Sequence, residues 1–265
     1  MTITVLSQKG GTGKTTTVRT LADAYRRSGL EVLCVDLDPQ GNLSDYFDVP
    51  PDASPTVADL LAGQARAADA VFADILPANL GLAEAELVLA GKMGRELTLK
   101  RGLREVKRGY DLVLVDCPPS LGLLTVNALV AADHALITSE AEYFSLQGVE
   151  QALEVVELAR ESLHPDLDWL GVVLNIADMR LVHSREALKS LQERFGDKVF
   201  ETVIRRSVRY AESAERGVSI LDYAPDLGAD YLALAGELLA RLGAFDEARE
   251  RLSGSLSSSA IASSS

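Results

Sequence analysis

The sequence predicts a single-domain α/β fold, a twisted, mainly parallel β-sheet flanked by helices on both faces. Three observations lead there. Short apolar runs alternate along the chain with longer stretches of helical spacing, the rhythm of strands joined by crossover helices. The runs inside Glu31 to Asp36 and Asp111 to Asp116 are continuously apolar instead of alternating, so both faces of those strands are covered. A glycine-rich loop separates the first strand from the first helix. A chain of 265 residues lies within the size of one α/β domain.

Element by element, Ile3 to Leu6 opens as a strand, and Lys14 to Ser28 reads as a helix stopped by Gly29. Glu31 to Asp36 is the second strand. Asn42 to Pro55 reads as loop, Thr56 to Ala62 as a short helix, Leu80 to Ala83 as a brief strand, and Glu84 to Lys107 as helical material. Asp111 to Asp116 is the clearest strand, ended by Pro118-Pro119. A helix from Leu121 to Ala131 and a strand from His134 to Thr138 follow. Leu146, Val149, Leu153, Val156 and Leu163 recur at helical spacing and should face the core. Leu170 to Asn175 is a buried strand, Ser184 to Phe195 a helix, Val199 to Ile204 the last strand and Tyr231 to Leu242 the closing helix. The folded domain is expected to span 1–250. Residues 251–265 then form a serine-rich disordered tail or a cloning remnant, since Ser fills 8 of the last 13 positions and little there can be buried.

Composition narrows the function. At 47% hydrophobic the chain is too apolar for global disorder, and it has no run of the ~18–20 apolar residues that a membrane span needs. The N-terminus lacks the basic-then-apolar order of a signal peptide. Cys34 and Cys117 sit in apolar runs, as buried reduced thiols do. A soluble, cytoplasmic protein is the expectation. The net charge of -13 argues against a surface coated for nucleic acid, while leaving room for a local basic patch.

The strongest motif is Lys9-Gly10-Gly11-Thr12-Gly13-Lys14-Thr15-Thr16, directly after strand one and opening helix one. A polyphosphate needs many donors at close range. Glycines let successive backbone N–H groups turn inward, and the helix N-terminus adds partial positive charge. Lys14 then reaches the β- and γ-phosphates, and the Thr15 hydroxyl reaches Mg²⁺. The pattern G-x-x-x-x-G-K-[ST] would place Gly where this chain has Gln8, and Lys9 adds a second cation at the start of the loop.

KGGxGKTT is the signature of the deviant Walker A class, and within it the sequence resembles the ParA/Soj partition ATPases of the short type. The resemblance covers nearly all of residues 1–245. It continues through Asp36-Leu37-Asp38-Pro39-Gln40-Gly41-Asn42, Asp116-Cys117-Pro118-Pro119-Ser120, Lys198 to Ile204, and Asp222 to Tyr231. It implies ATP and Mg²⁺ as ligands, weak basal hydrolysis, a homodimer when ATP is bound, non-specific DNA binding, and stimulation by a ParB-like centromere-binding partner. Plasmid or chromosomal cargo would be segregated or positioned on the nucleoid.

The resemblance also implies residue roles. Lys9 crosses the dimer to the partner subunit's phosphates. Asp116, at the end of its strand, holds Mg²⁺ together with Thr15. Asp38 orients or activates the attacking water, with Asp36 in support. Asn175 lies where related proteins place an amide against adenine. Family members read Ile-Pro-Arg after the last strand, whereas this chain reads Ile204-Arg205-Arg206, so Arg205 stands at the base pocket in place of proline. Thr12 for valine and Arg19 in the first helix are further departures. Between Arg180 and Arg216 nine basic residues outnumber six acidic ones, a footprint for polyanion binding, from which Lys189, Arg206, Arg209 and Arg216 are the DNA-contact candidates.

Two other functions compete. A MinD-like membrane switch wants a basic amphipathic C-terminal helix, but Phe245 to Leu252 is short and mixed in charge. A metabolic enzyme of the same fold, a cluster-bearing reductase or a ligase, lacks suitably placed cysteines in the first case and evident signature segments in the second. H-E-x-x-H, G-x-S-x-G and G-x-G-x-x-G are all absent, and His134, His164 and His183 are scattered.

Overall fold

The computed structural model describes residues 1–142 and 145–262. Seven strands carry the fold: β1 (Thr2–Leu6), β2 (Val32–Asp36), β3 (Ile75–Leu76), β4 (Leu112–Asp116), β5 (His134–Glu140), β6 (Asp168–Ala177) and β7 (Val199–Arg205). They form one parallel sheet in the order β3-β2-β4-β1-β5-β6-β7. The helices are α1 (Lys14–Arg27), α2 (Asn42–Tyr46), α3 (Val57–Ala62), α4 (Ala67–Ala70), α5 (Gly81–Ala90), α6 (Thr98–Val106), α7 (Leu123–Ala131), α8 (Ser145–Ser162), α9 (Val182–Phe195), α10 (Arg209–Glu215), α11 (Ile220–Tyr223), α12 (Pro225–Leu242) and α13 (Asp246–Ala262).

Strand residues alternate between two cores, one on each face of the sheet. Ile3, Val5, Cys34 and Leu114 pack with α1 and α12 through Val18, Leu21, Tyr25, Leu234 and Leu238. Leu6, Leu33, Val35, Val113 and Val115 pack on the other face with Leu103, Leu129, Val149 and Val156. Each such side chain, fully buried, contributes about 1.5–3 kcal/mol against exposure. This two-sided burial explains the unbroken apolar runs. Both cysteines are free and buried, as expected.

Local signals set several boundaries. The Thr56 hydroxyl accepts from the Ala58 N–H, and the Asp59 carboxylate accepts from the Thr56 N–H at 2.7 Å, a capping box that starts α3 where the sequence places it. Pro225 occupies the first turn of α12, where its missing N–H costs nothing.

Four expectations are corrected. Leu80 to Ala83 is not a strand. The strand is the pair Ile75–Leu76, cut short by Pro77, and Leu80 leads into α5, whose Leu82 and Leu89 are buried on one face at i, i+7 spacing. Within Asn42 to Pro55, read as loop, α2 forms because the Asp36 carboxylate accepts from both the backbone N–H and the hydroxyl of Ser44, at 3.0 and 2.8 Å. Leu163 lies beyond the end of α8 and is 38% exposed, while Val149 and Val156 do face the core. The serine-rich tail is not disordered from residue 251 or 253: α13 continues to Ala262, Leu252 is buried, and the Arg251 guanidinium donates to the Ser28 carbonyl at 2.7 Å. Leu252 and Leu256 pack against the core and Arg251 tethers a segment that composition alone gives no reason to fold. Residues 263–265 of that expected tail lie outside the described residues.

Candidate nucleotide site

The loop from Ser7 to Gly13 turns over the carboxyl end of β1 and delivers α1. Gly13 has φ 83°, and a Cβ there would lie 2.9 Å from the Asn175 amide, so both the backbone angle and the space demand glycine. The loop is braced from within. The Lys14 ammonium donates to the Ser7 hydroxyl at 3.1 Å and to the Lys9 carbonyl at 3.0 Å. Ser7 and Thr12 share a hydrogen bond of 2.8 Å, and Thr12 shares another of 3.0 Å with Thr138 on β5. Thr12 thus ties the loop to the neighbouring strand, a polar function that valine could not serve.

The sheet register brings the acids to the same edge. Asp36 and Asp116 are register partners across β2 and β4, and Val5 of β1 pairs with Asp116. Both carboxylates are fully buried. Burial first, and then each other's charge, push Asp116 well above the usual carboxylate range; burial likewise raises Asp36, against hydrogen bonds from Asp38 and Ser44. Lys14 is pulled below its ordinary value by burial, partly offset by Asp116. A buried cation and buried carboxylates, each short of solvation, mark a place built for a charged ligand.

Both oxygens of Asp36 are engaged in holding the backbone around it. One oxygen accepts from the Asp38 N–H at 3.0 Å, and the other is taken by Ser44. Asp38 is half-exposed on the rim, with Oδ1 held by the Gln40 N–H at 3.0 Å. The pair therefore divides into a strut and a side chain that meets solvent.

Asp116 Oδ2 accepts from the Thr15 hydroxyl at 2.6 Å, while Oδ1 is buried without a partner. An orphaned carboxylate oxygen beside a threonine hydroxyl fits a hard cation such as Mg²⁺, which prefers oxygen ligands and keeps several waters and phosphate oxygens of its own. Among the described residues no group of three or more His, Cys, Asp or Glu is placed to cage a metal, so such a cation would draw most of its ligands from nucleotide and water. Asp116→Asn is expected to stabilise the nucleotide-free protein by about 1 kcal/mol, because it removes a buried charge, while abolishing Mg²⁺-supported hydrolysis. Thermal melts and phosphate release, measured side by side, check both halves.

Gly10, Lys14, Thr15 and Asp38 line a cleft of ≈ 570 Å³ that runs on to Asn175 and α10, a size suited to a nucleotide. Asn175 is buried. Its amide donates to the Thr12 carbonyl at 3.0 Å and to the Thr17 hydroxyl at 3.1 Å, leaving its own carbonyl oxygen unpartnered. The next residue, Ile176, has φ 55° at an irregularity in the β6–β7 register. A β-branched residue in that region is strained, and it sits on the cleft wall.

Not every expected residue meets the cleft in the expected way. Arg205 borders it, but its guanidinium is held by Asp230 at 2.8 Å and by the Asp226 carbonyl, so its charge is committed to α12. Among the DNA-contact candidates, Arg206 also borders the cleft, and Arg209 and Arg216 both stack over Tyr223, at 5.5 and 5.1 Å. Arg209 further pairs with Asp226 at 3.6 Å, and Lys189, on α9, with Glu193 at 3.6 Å. Sequence reasoning noted Arg19 only as a departure in the first helix and missed Tyr210 and Tyr231 as cleft residues. Arg19 is buried, donates to the Tyr210 carbonyl at 2.7 Å and stacks over Tyr46, fastening α1 to α10. Tyr210 meets Tyr231 edge to face at 5.8 Å to form an aromatic wall. Partners about 190 residues apart in the chain leave no local pattern to find.

A family model described as an AAA domain matches residues 1–169. Over 247 residues the chain is 41% identical to the sporulation initiation inhibitor protein Soj of Bacillus subtilis, covering 90% of this chain and 98% of that one. Over 250 residues it is 37% identical to the chromosome partitioning protein ParA of Caulobacter vibrioides, covering 90% and 94%. The chain belongs to the Soj/ParA family of ATPases. A solved cobyrinic acid a,c-diamide synthase from Mycobacterium smegmatis, with ADP and magnesium bound, is 36% identical over 81% of this chain and 92% of that chain, with TM-score 0.74. The fold is that of P-loop ATPases. Among the described residues no helix is long and apolar enough to cross a membrane.

Proposed function

We propose that this Soj/ParA-type ATPase is a nucleotide-driven switch. ATP with Mg²⁺ closes two copies into a dimer that holds DNA without sequence preference, and a ParB-like partner accelerates hydrolysis and releases it, so that a plasmid, chromosome or other large cargo is segregated or positioned. The observation that carries the reading is the loop itself: Lys14 and Asp38 line one cleft, and Lys9, five residues before Lys14, opens the loop that leads into it. One nucleotide needs only one of those lysines from its own subunit.

In this reading the phosphates lie over the N-terminus of α1, where the backbone N–H groups of Gly11 to Thr16 and the helix dipole meet them. Lys14 exchanges the Ser7 hydroxyl and the Lys9 carbonyl for phosphate oxygens. Thr15 and Asp116 hold Mg²⁺, which when bound neutralises charge between the phosphates. Asp38 accepts a hydrogen bond from the attacking water and takes its proton. The Asn175 carbonyl oxygen, buried and unpartnered, accepts from the adenine amino group, with Tyr210 and Arg19 closing the wall beside it. Lys9 reaches the partner subunit's phosphates, offsetting anion repulsion as the two clefts close. The γ-phosphate discriminates the states because only the triphosphate offers Lys9 that contact.

A metabolic enzyme like the synthase would share this half-site but would not hold DNA. The deciding experiment is retention of a random-sequence DNA duplex at physiological salt. Retention with a non-hydrolysable ATP analogue, and none with ADP or without nucleotide, is expected; retention independent of nucleotide would count against the switch.

A further inference from the structure

Three hydroxyls in and beside the phosphate loop form a chain whose direction is fixed by its ends. Ser7 Oγ lies 2.8 Å from the Lys9 carbonyl, 2.8 Å from the Thr12 hydroxyl and 3.1 Å from the Lys14 ammonium. Thr12 Oγ1 lies 3.0 Å from the Thr138 hydroxyl. A carbonyl only accepts, an ammonium only donates, and each hydroxyl has one proton to give. Ser7 must give its proton to Lys9, so Thr12 donates to Ser7, and Thr138 in turn donates to Thr12. The order Thr138 to Thr12 to Ser7 to Lys9 is the single assignment that makes every bond. Ser7, Thr12, Lys14 and Thr138 are all buried, so bulk water cannot stand in for a missing link.

The chain matters most once nucleotide arrives. In the empty loop the Lys9 carbonyl accepts from Ser7 and also from Lys14, the latter at 3.0 Å. When phosphates draw Lys14 away, the bond from Ser7 is the one of the two that stays. Lys14 also leaves the Ser7 oxygen, and the proton from Thr12 is then what keeps Ser7 from rotating off Lys9. Thr12 is itself held by its backbone, since its carbonyl accepts from the buried Asn175 amide at 3.0 Å. Hydrogen bonds in such a line polarise one another and hold each hydroxyl in one orientation. Where the Soj/ParA pattern reads valine this chain reads Thr12, and valine would cut the line in its middle.

We propose that Thr138, Thr12 and Ser7 are positioning residues for ATP hydrolysis, a proposal that rests on the reading of Lys9 given above and adds what aims it. The hydroxyl chain holds the Lys9 backbone in one orientation whether or not Lys14 is engaged. Lys9 therefore starts from the same place with and without nucleotide, already set to reach the partner subunit's phosphates. No proton moves along the chain. Its work is orientation, and orienting a charge-stabilising group counts most in the transition state. ATP binding draws instead on Lys14, Thr15 and the N–H groups of the loop. Loss of the chain should thus appear in turnover and not in affinity.

The test compares single-turnover ATP hydrolysis with the affinity for a non-hydrolysable ATP analogue, using the full chain with Mg²⁺. Thr12→Val should lower the hydrolysis rate about tenfold, short of the roughly 10²-fold cost of a misplacement of about 1 Å. Its Kd for the analogue should stay within about twofold of wild type. Thr12→Ser, which keeps the hydroxyl, should recover most of the lost rate. A double variant separates positioning from packing. Thr12→Val strands the Thr138 proton in a buried site and should lower the melting temperature. Adding Thr138→Val removes that orphan, so the double variant should melt higher than Thr12→Val yet hydrolyse no faster, because Thr138 acts only through Thr12. Wild-type hydrolysis in Thr12→Val, with Lys9→Ala impaired, overturns this inference alone. So does a double variant whose rate recovers with its melting temperature, or a loss of affinity as large as the loss of rate. Lys9→Ala hydrolysing like wild type overturns the reading of Lys9 and this inference with it.

Discussion

Lys14→Ala is expected to remove nucleotide binding while leaving the fold intact. The ammonium is buried and satisfied only by the Ser7 hydroxyl and a backbone carbonyl, and burial pulls its proton affinity down. A cation held this way is destabilising until an anion arrives. Removing one partner of a buried, hydrogen-bonded charge pair costs about 2–5 kcal/mol, which is roughly thirtyfold to several thousandfold in Kd. The same substitution relieves a desolvated charge in the nucleotide-free protein. The melting temperature without nucleotide should therefore hold or rise, while the upward shift that ATP gives wild type disappears. A variant that melts lower and still shifts with ATP would show that Lys14 is a structural lysine.

Asp38→Ala is expected to separate binding from hydrolysis. Asp38 meets solvent at the cleft rim, whereas Asp36 spends both oxygens on the Asp38 backbone and on Ser44. Loss of a positioned general base lowers turnover by about 10²–10⁴-fold. ATP affinity should change little, because the P-loop contacts are untouched. The ATP-bound dimer and its hold on DNA should then outlast wild type by a similar factor. Asp36→Asn serves as the contrast: it should weaken the packing of α2 and lower the melting temperature, since Ser44 loses a charged acceptor. If Asp38→Ala turned over at the wild-type rate, the water would have to be activated elsewhere.

Much of this architecture is legible in the sequence, because its causes are local. The unbroken apolar run before Asp116 reports a strand covered on both faces, and Lys9 to Thr16 reports a phosphate loop by glycine spacing alone. What escaped prediction depends on partners far apart in the chain. Helix α2 exists because Asp36 binds Ser44, and α13 stays helical past Ser253 with Leu252 and Arg251 docked onto the body. The charge count between Arg180 and Arg216 gave a correct excess but could not show that several of those cations are paired with acids on other elements, such as Glu150 for Arg194 and Asp230 for Arg205. Arg205 was expected at the base from its position alone, and the fold turned its guanidinium to α12 instead.

Sedimentation velocity with a non-hydrolysable ATP analogue and with ADP, on wild type and Lys9→Ala, tests the two-lysine loop most directly. Wild type should sediment as a dimer with the analogue and a monomer with ADP, and Lys9→Ala should bind the analogue yet remain a monomer. A Lys9→Ala protein that dimerises as readily as wild type would mean that nothing from this loop reaches across to the other subunit.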